Sequence, residues 1–150
     1  MQEPAPWFLL PAILLGFPIF FVAIWSLVCV IIAGVAGWGA MAARYAAPPG
    51  FRGTPLPSGY ANRVGIASYK SVLTFEAAPE GLVVRVMRIF PFHPTLLLPW
   101  RALTLTRGGG LFSAGTMKVE GGTDFSLNSD AFESIERAIG TASSFPTARM

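Results

Sequence analysis

One apolar stretch near the N-terminus constrains this chain more than any other feature. No charged residue occurs between Glu3 and Arg44, so the uncharged run is about twice as long as the 20 apolar residues that cross roughly 30 Å of hydrocarbon. A soluble domain of this size has no core that could bury such a run. The sequence therefore predicts a membrane-anchored protein, and the lipid bilayer is its first expected partner.

The length of the run leaves two arrangements open. One is a membrane anchor over residues 1–46 with a single span at about 17–43 and an apolar lead-in; the other is a hairpin of two spans. A hairpin needs a turn near the middle of the run, where there is no Gly, Pro, Asn or Asp. The single span is therefore favoured, and Pro18 is expected to kink it or to mark its start. A cleaved signal peptide is not indicated, because the first residues include Glu3 and no basic residue.

The basic residues that follow the span predict its orientation. Arg44, Arg52 and Arg63 lie on the C-terminal side, and positively charged flanks remain on the cytoplasmic side of a membrane. The sequence thus predicts a cytoplasmic C-terminal domain and an N-terminus outside. Tyr45 and Trp38 are expected at the inner boundary of the bilayer, where amphipathic aromatic rings are common.

Small residues recur in the second half of the span. Ala33, Gly37 and Ala40 are among them, and small-xxx-small spacing, as between Ala33 and Gly37, lets membrane helices approach closely. Self-association through this face is one hypothesis. The alternative is that small residues are simply common in spans.

The composition changes after the anchor. Residues 47–60 contain four prolines and three glycines, which predicts an extended linker that holds the next domain off the membrane. From residue 61 onward, apolar and polar residues alternate, which is typical of short antiparallel strands. These are expected at 63–70, 72–77, 82–89, 96–99, 100–107, 111–119 and 124–127.

A helical pattern closes the domain. Asn128, Ser129 and Asp130 supply N-cap oxygens, and an apolar stripe with helical spacing follows; its members are Phe132, Ile135 and Ile139. Gly140 is expected to end this helix, and 143–150 to form a flexible tail. The predicted fold class is an N-terminal transmembrane α-helix followed by an α+β, mainly β, domain at 61–142, built as an antiparallel sheet or partial barrel with one C-terminal helix.

The residue types needed for catalysis or metal binding are sparse. His93 is the one histidine and Cys29, inside the apolar run, the one cysteine, so neither an ordinary zinc site nor a disulfide framework is expected. No serine stands in a G-x-S-x-G context, which disfavours a membrane-bound hydrolase. We expect no catalytic residue, cofactor or metal. Nucleic-acid binding is not expected either, because the net charge of +3 is not clustered.

Several short motifs resemble known proteins. The span ends in Gly37-Trp38, the second predicted hairpin contains Glu80-Gly81-Leu82, and a corner reads HPTLLLPW over residues 93–100. Over roughly residues 37–107 the chain resembles a group of uncharacterised bacterial single-span membrane proteins, and its strand order is similar to that of pleckstrin-homology-like (PH-like) and GRAM-like domains. Thr95 departs from the group's pattern, which has a proline there. The resemblance implies a bacterial inner (cytoplasmic) membrane location and a PH-like domain, but no activity.

The corner and the strand that follows it are the candidate interaction surface. Their residues are apolar at consecutive positions rather than alternating, which predicts a strand covered on both faces. The cover is the domain core on one side and the linker, the membrane or a partner on the other. The candidate residues are Phe92, His93, Leu96, Leu97, Leu98, Trp100 and Arg101. The expected function is a membrane-anchored binding or assembly module, and the alternative is lipid or small-ligand binding by the same domain.

Overall fold

A computed structural model describes residues 6–59, 61–108 and 113–143 of the chain. The apolar stretch forms helix α1, Leu9–Val35, and within the described residues it is the one helix long and apolar enough to span a membrane. Almost all of its side chains are exposed in the isolated chain. A helix that is apolar on every side needs an apolar surrounding, so α1 has the length and the surface that a membrane-spanning helix requires.

The predicted bounds of about 17–43 differ from this helix at both ends. Pro18 lies inside α1 and does not start it. At the other end Gly37 takes a left-handed conformation with φ of 69°, and the chain continues as the short helix α2, Trp38–Tyr45. The side chain of Trp38, which the sequence predicts near the membrane boundary, is fully buried among residues of the sheets.

Nine strands and a third helix follow within the described residues. They are β1 (Thr54–Leu56), β2 (Ala61–Val64), β3 (Ala67–Lys70), β4 (Leu73–Ala78), β5 (Gly81–Val86), β6 (Leu96–Pro99), β7 (Leu103–Arg107), β8 (Gly115–Val119), β9 (Phe125–Leu127) and α3 (Ser129–Ser143), with a 3₁₀ turn at Trp100–Ala102. The strands form two antiparallel sheets, ordered β1-β4-β5-β6 and β3-β2-β9-β8-β7. The predicted α+β layout, mostly sheet with helix, is confirmed.

Two predicted strands are divided in the structure. Residues 63–70 form the hairpin of β2 and β3, because Gly65 adopts a φ of 56° and its N–H donates to the carbonyl of Asp124 at 2.8 Å. Residues 100–107 begin with the 3₁₀ turn and become extended only at Leu103. The start of the predicted strand 111–119 lies outside the described residues, as does most of the predicted tail at 143–150.

Helix α3 covers one end of the two sheets, against β1, β4 and β8. The side-chain oxygen of Asn128 accepts a hydrogen bond from the N–H of Ala131 at 2.9 Å and caps the helix. Of the predicted apolar stripe, Phe132 and Ile135 are buried in the core that both sheets share, and Ile139 is half-buried against it. Gly140 does not end the helix, which continues to Ser143.

The described part of the Pro/Gly-rich segment, residues 47–59, belongs to the sheet domain rather than forming a free connector. Its strand β1 pairs with β4, and the N–H of Gly53 donates to the buried carboxylate of Glu76 at 2.8 Å. The guanidinium of Arg85 donates to the carbonyl of Phe51, and its Nε lies 3.3 Å from Oε1 of Glu76. Prolines suit an edge strand. Strand β1 pairs with the edge of β4, and Glu76 and Arg85 bond two further backbone groups of the segment.

The C-terminal half of α1 packs directly on the sheet domain. Cys29, Ala33 and Ala36 form one stripe along the helix and are almost completely buried. Their small side chains let the helix backbone lie close to the sheets. One turn further toward the N-terminus, the indole N–H of Trp25 donates to the carbonyl of Ile89 at 2.9 Å. The sheet domain is therefore packed against α1 instead of being held away from it.

This packing bears on the face considered for self-association. Ala33 belongs to the shared core, and a Cβ at Gly37 would overlap the hydroxyl of Thr123. Ala40, in contrast, is exposed. Two of the three small residues thus contact the chain's own sheet domain.

Candidate functional site

The predicted interaction residues lie along β6 and at its two ends. Leu96 and Leu98 are fully buried, whereas Leu97 between them is half-buried. At one end of the strand Phe92 is exposed and His93 half-buried; at the other end Trp100 is half-buried and Arg101 exposed. Strand β6 lies at the edge of its sheet with Leu96 and Leu98 in the core, and the candidates outside the strand form two groups at its opposite ends.

His93 belongs to an aromatic cluster next to α2. Its ring lies 5.4 Å from that of Trp38 and 5.9 Å from that of Tyr69, between ring centres. Nε2 of His93 is 3.1 Å from the hydroxyl of Tyr69, and Nδ1 is 3.0 Å from the carbonyl of Pro91. Burial raises the pKa of Tyr69 to about 12. Both ring nitrogens have partners, so the cluster fixes the corner before β6.

The other end of β6 is fixed by Trp100 and by a close strand contact. The indole N–H of Trp100 donates to the carbonyl of Ala78 at 3.0 Å. Gly81 lies beside β6, paired with Pro99, and a Cβ there would overlap the carbonyl oxygen of Leu98. The glycine of the Glu-Gly-Leu motif therefore allows β5 and β6 to approach, and Trp100 is held over the turn between β4 and β5.

An open groove of about 640 Å³ lies beside Trp100, between α3 and the edge of the first sheet. A groove of this size falls in the range of known ligand sites. Most of its lining side chains are apolar, and they come from β1, from the end of β4 and the turn after it, from the 3₁₀ turn and from α3. The lining residues are Leu56, Ala77, Ala78, Pro79, Trp100, Ser134, Arg137, Ala138, Thr141 and Ala142.

The polar groups of the groove have a simple arrangement. The hydroxyl of Ser134 is buried and lies 2.9 Å from the carbonyl of Pro57 and 3.0 Å from that of Ala131. Thr141 donates to the carbonyl of Arg137, one turn earlier in α3. The guanidinium-bearing side chain of Arg137 is exposed. The groove is thus an apolar trough with one cationic residue on its helical side.

A second, smaller crevice of about 310 Å³ lies between α1 and the sheet domain. It is lined by Ile32, Ser68, Tyr69, Lys70, Val72 and Phe90. The ring of Phe90 also lies 5.5 Å from that of Trp25, between ring centres. This crevice adjoins the corner that holds Phe92 and His93, so each end of β6 has its own cavity.

Within residues 6–59, 61–108 and 113–143, no group of three or more His, Cys, Asp or Glu side chains is placed to hold a metal ion. Comparison of the chain with models of protein families, with curated proteins and with solved structures finds no match. The geometry of the two cavities is therefore the basis for an inference about function.

The sequence reading included Trp100 but missed the rest of the groove. Its walls join β1, taken from the supposed linker, to the outer face of α3. A signal was present in the helix, where small or short side chains recur with helical spacing at Ser134, Ala138 and Thr141. A stripe of this kind beside the apolar stripe of Phe132 and Ile135 indicates a second helix face that contacts something.

Proposed function

We propose that this chain is a membrane-anchored binding module, and that the groove between α3 and Trp100 receives an apolar segment of a partner protein. The groove itself carries the proposal: it is large, mostly apolar and built from four elements that the core holds in place. An apolar concavity with few polar groups is typical of a binding site. The exposed cation of Arg137 favours a partner segment with an acidic group beside its apolar residues.

The arrangement of the hydroxyl groups favours binding over catalysis. Ser134 and Thr141 lie next to backbone carbonyls, and a nucleophilic hydroxyl needs an adjacent general base. Two antiparallel sheets and one C-terminal helix also support the PH-like assignment made from the sequence. On this proposal the domain acts as a module that binds rather than reacts.

A proposal about topology accompanies this function. Arg44, Arg52 and Arg63 follow α1, and they favour the cytoplasmic side of a bacterial inner membrane for the sheet domain. A C-terminal fluorescent-protein fusion should be bright, and a C-terminal alkaline-phosphatase fusion inactive. The reverse pattern would place the groove outside the cytoplasm and overturn this orientation.

Photocrosslinking in native membranes tests the groove. A benzophenone amino acid at Thr141, which is exposed on the groove side of α3, should give a discrete adduct with a protein. Ala138→Trp should abolish the adduct by filling the groove. The matched control is Glu133→Trp, on the exposed face of the same helix, which should leave the adduct unchanged.

Two other results of the crosslinking experiment would contradict a protein segment in the groove. A protein adduct that persists in Ala138→Trp would show that the partner does not occupy the groove. Adducts with lipid alone would favour the second candidate function, lipid or small-ligand binding, which the apolar lining also suits. Unfolding midpoints of both tryptophan variants should match that of the wild type, so that loss of the adduct reports on the groove.

A further inference from the structure

Exposed apolar side chains concentrate at one corner of the sheet domain. Among the described residues that follow α1, four large apolar side chains are exposed, and three of them lie between β5 and β6. These are Met87, Ile89 and Phe92, which are 50%, 63% and 58% exposed; the fourth is Ile66. We call residues 87–92 the apolar corner. Apolar groups clustered at one place on a surface usually mark an interaction site.

The backbone of the apolar corner supports a role for its side chains. Phe92 has a φ of 67°, a left-handed conformation that is unfavourable for any residue with a Cβ. Such conformations persist where the surroundings impose them, and they are frequent at functional sites. Here His93 and Pro91 are linked by a hydrogen bond, and the outcome is a phenylalanine ring held in an exposed position.

The apolar corner is continuous with the apolar anchor. The carbonyl of Ile89 accepts the hydrogen bond from the indole of Trp25, and the rings of Trp25 and Phe90 are in contact. The apolar corner and this part of α1 therefore form one continuous apolar surface. Whatever surrounds α1 at the level of Trp25 also meets the exposed side chain of Ile89.

The length of α1 indicates where Trp25 and Ile89 lie relative to the bilayer surface. Its 27 residues are about 40 Å long at about 1.5 Å each, so the helix exceeds a hydrocarbon core of about 30 Å. If its N-terminal turn lies at one surface, the hydrocarbon core ends about 20 residues later, near Val28. The side chains that are buried against the sheets, from Cys29 to Ala36, come directly after this point. Trp25 and Ile89 then lie at the second surface of the bilayer.

The charges beside the apolar corner fit this position. Arg88 is exposed between Met87 and Ile89, and Lys70 lines the same crevice as Phe90. Both are cations, and lipid phosphates attract basic side chains at the membrane surface. Apolar rings flanked by cations are typical of segments that lie in the interface.

We infer that the apolar corner is inserted in the interfacial region of the membrane that α1 crosses, with Arg88 and Lys70 at the level of the lipid phosphates. The sheet domain is then held at two points, by α1 and by the corner, which limits its rotation relative to the bilayer. This inference rests on the spanning role of α1, and it is independent of what occupies the groove.

Site-directed spin labelling of the full chain in phospholipid vesicles tests the depth of the corner. In a Cys29→Ala background, single cysteines replace Ile89 and Phe92 and carry a nitroxide. We expect these labels to be accessible to oxygen and protected from a water-soluble nickel reagent. Glu133→Cys is the aqueous control, and Leu15→Cys, within α1, is the control for the membrane interior.

The controls separate the possible results. If the labels at Ile89 and Phe92 react with the nickel reagent as strongly as the label at Glu133, while Leu15 is protected, the inference about the corner is wrong and the anchor stands. If Leu15 is also accessible to the nickel reagent, α1 does not span, and both fail. In a second arm, Arg88→Glu should make the Ile89 label more accessible to the nickel reagent. Unchanged protection would show that Arg88 does not contact the lipid phosphates.

Discussion

The indole N–H of Trp38 donates a hydrogen bond to the carbonyl oxygen of Pro94 at 2.9 Å. This bond joins α2, which follows the anchor, to the corner that precedes β6. Close to this bond, an isolated β-bridge pairs Ala46 with Leu96. The N–H of Ala47 also donates to the carbonyl of Thr95 at 2.8 Å. The segment that follows α1 is therefore bonded to the sheet domain through both side chain and backbone.

The first prediction concerns Trp38, whose side chain is fully buried. Trp38→Ala should lower the free energy of unfolding by about 3–5 kcal/mol, as large-to-small changes in cores do. Trp38→Phe should cost less, since it keeps most of the volume but leaves the carbonyl of Pro94 without its donor. Urea unfolding of the full chain in detergent micelles measures both. The control is Trp7→Ala, which changes an exposed ring; equal midpoints for Trp38→Ala and Trp7→Ala would contradict the packing.

The second prediction compares two glycines at the same helix start. Gly37→Ala imposes a left-handed conformation on alanine, at about 1–2 kcal/mol, and places a Cβ against the hydroxyl of Thr123. Gly39 lies inside α2 with open space around it, so Gly39→Ala should stabilise by about 0.5–1 kcal/mol. Thermal unfolding of both variants should shift in opposite directions. Shifts of the same sign would show that the chain does not turn at Gly37.

The contrast between Trp38 and α3 shows what the sequence could predict. The stripe of Phe132 and Ile135 is a local, periodic pattern, and burying it requires only that a sheet be near. Trp38 lies at the end of an apolar run, where an interfacial and a buried tryptophan have the same local sequence. What decides its place is contact with Tyr69 and Pro94, far along the chain, and that information is not in its neighbours.

The linker and the groove illustrate the same limit. Four prolines and three glycines at 47–60 are typical of a connector, and an edge strand that begins with Thr54 and Pro55 gives no alternating pattern. Its pairing depends on the free edge of β4 and on the buried carboxylate of Glu76. Because one wall of the groove comes from this strand, the groove was as unpredictable as the strand, whereas Trp100 could be selected as a bulky aromatic beside Pro99.

The third prediction concerns Phe132, which lies on the buried face of α3 and is 1% exposed. Phe132→Ala should destabilise by about 3–5 kcal/mol, a large fraction of the stability of a small domain. The guanidinium of Arg107 lies 5.1 Å from the centre of this ring. Because Arg107 is exposed, this cation–π contact adds only about 0.5–1 kcal/mol to stability. Glu133→Ala is the control and should change stability by less than about 0.5 kcal/mol. If both variants melt with the wild type, α3 does not pack as described.

The last prediction concerns the pH dependence of stability through Tyr69. Burial raises the pKa of Tyr69 to about 12, whereas a tyrosine in an unfolded chain has a pKa of about 10. Above about pH 10 the unfolded state loses this proton first, so it binds fewer protons than the folded state and stability falls as pH rises. The contribution is complete below about pH 10 and is lost between about pH 10 and about pH 12. Urea midpoints across this window should fall steeply for the wild type and less steeply for Tyr69→Phe, which cannot ionise and is less stable at neutral pH because it loses the contact with His93. Equal slopes for the two proteins would show that Tyr69 is not buried in its protonated form.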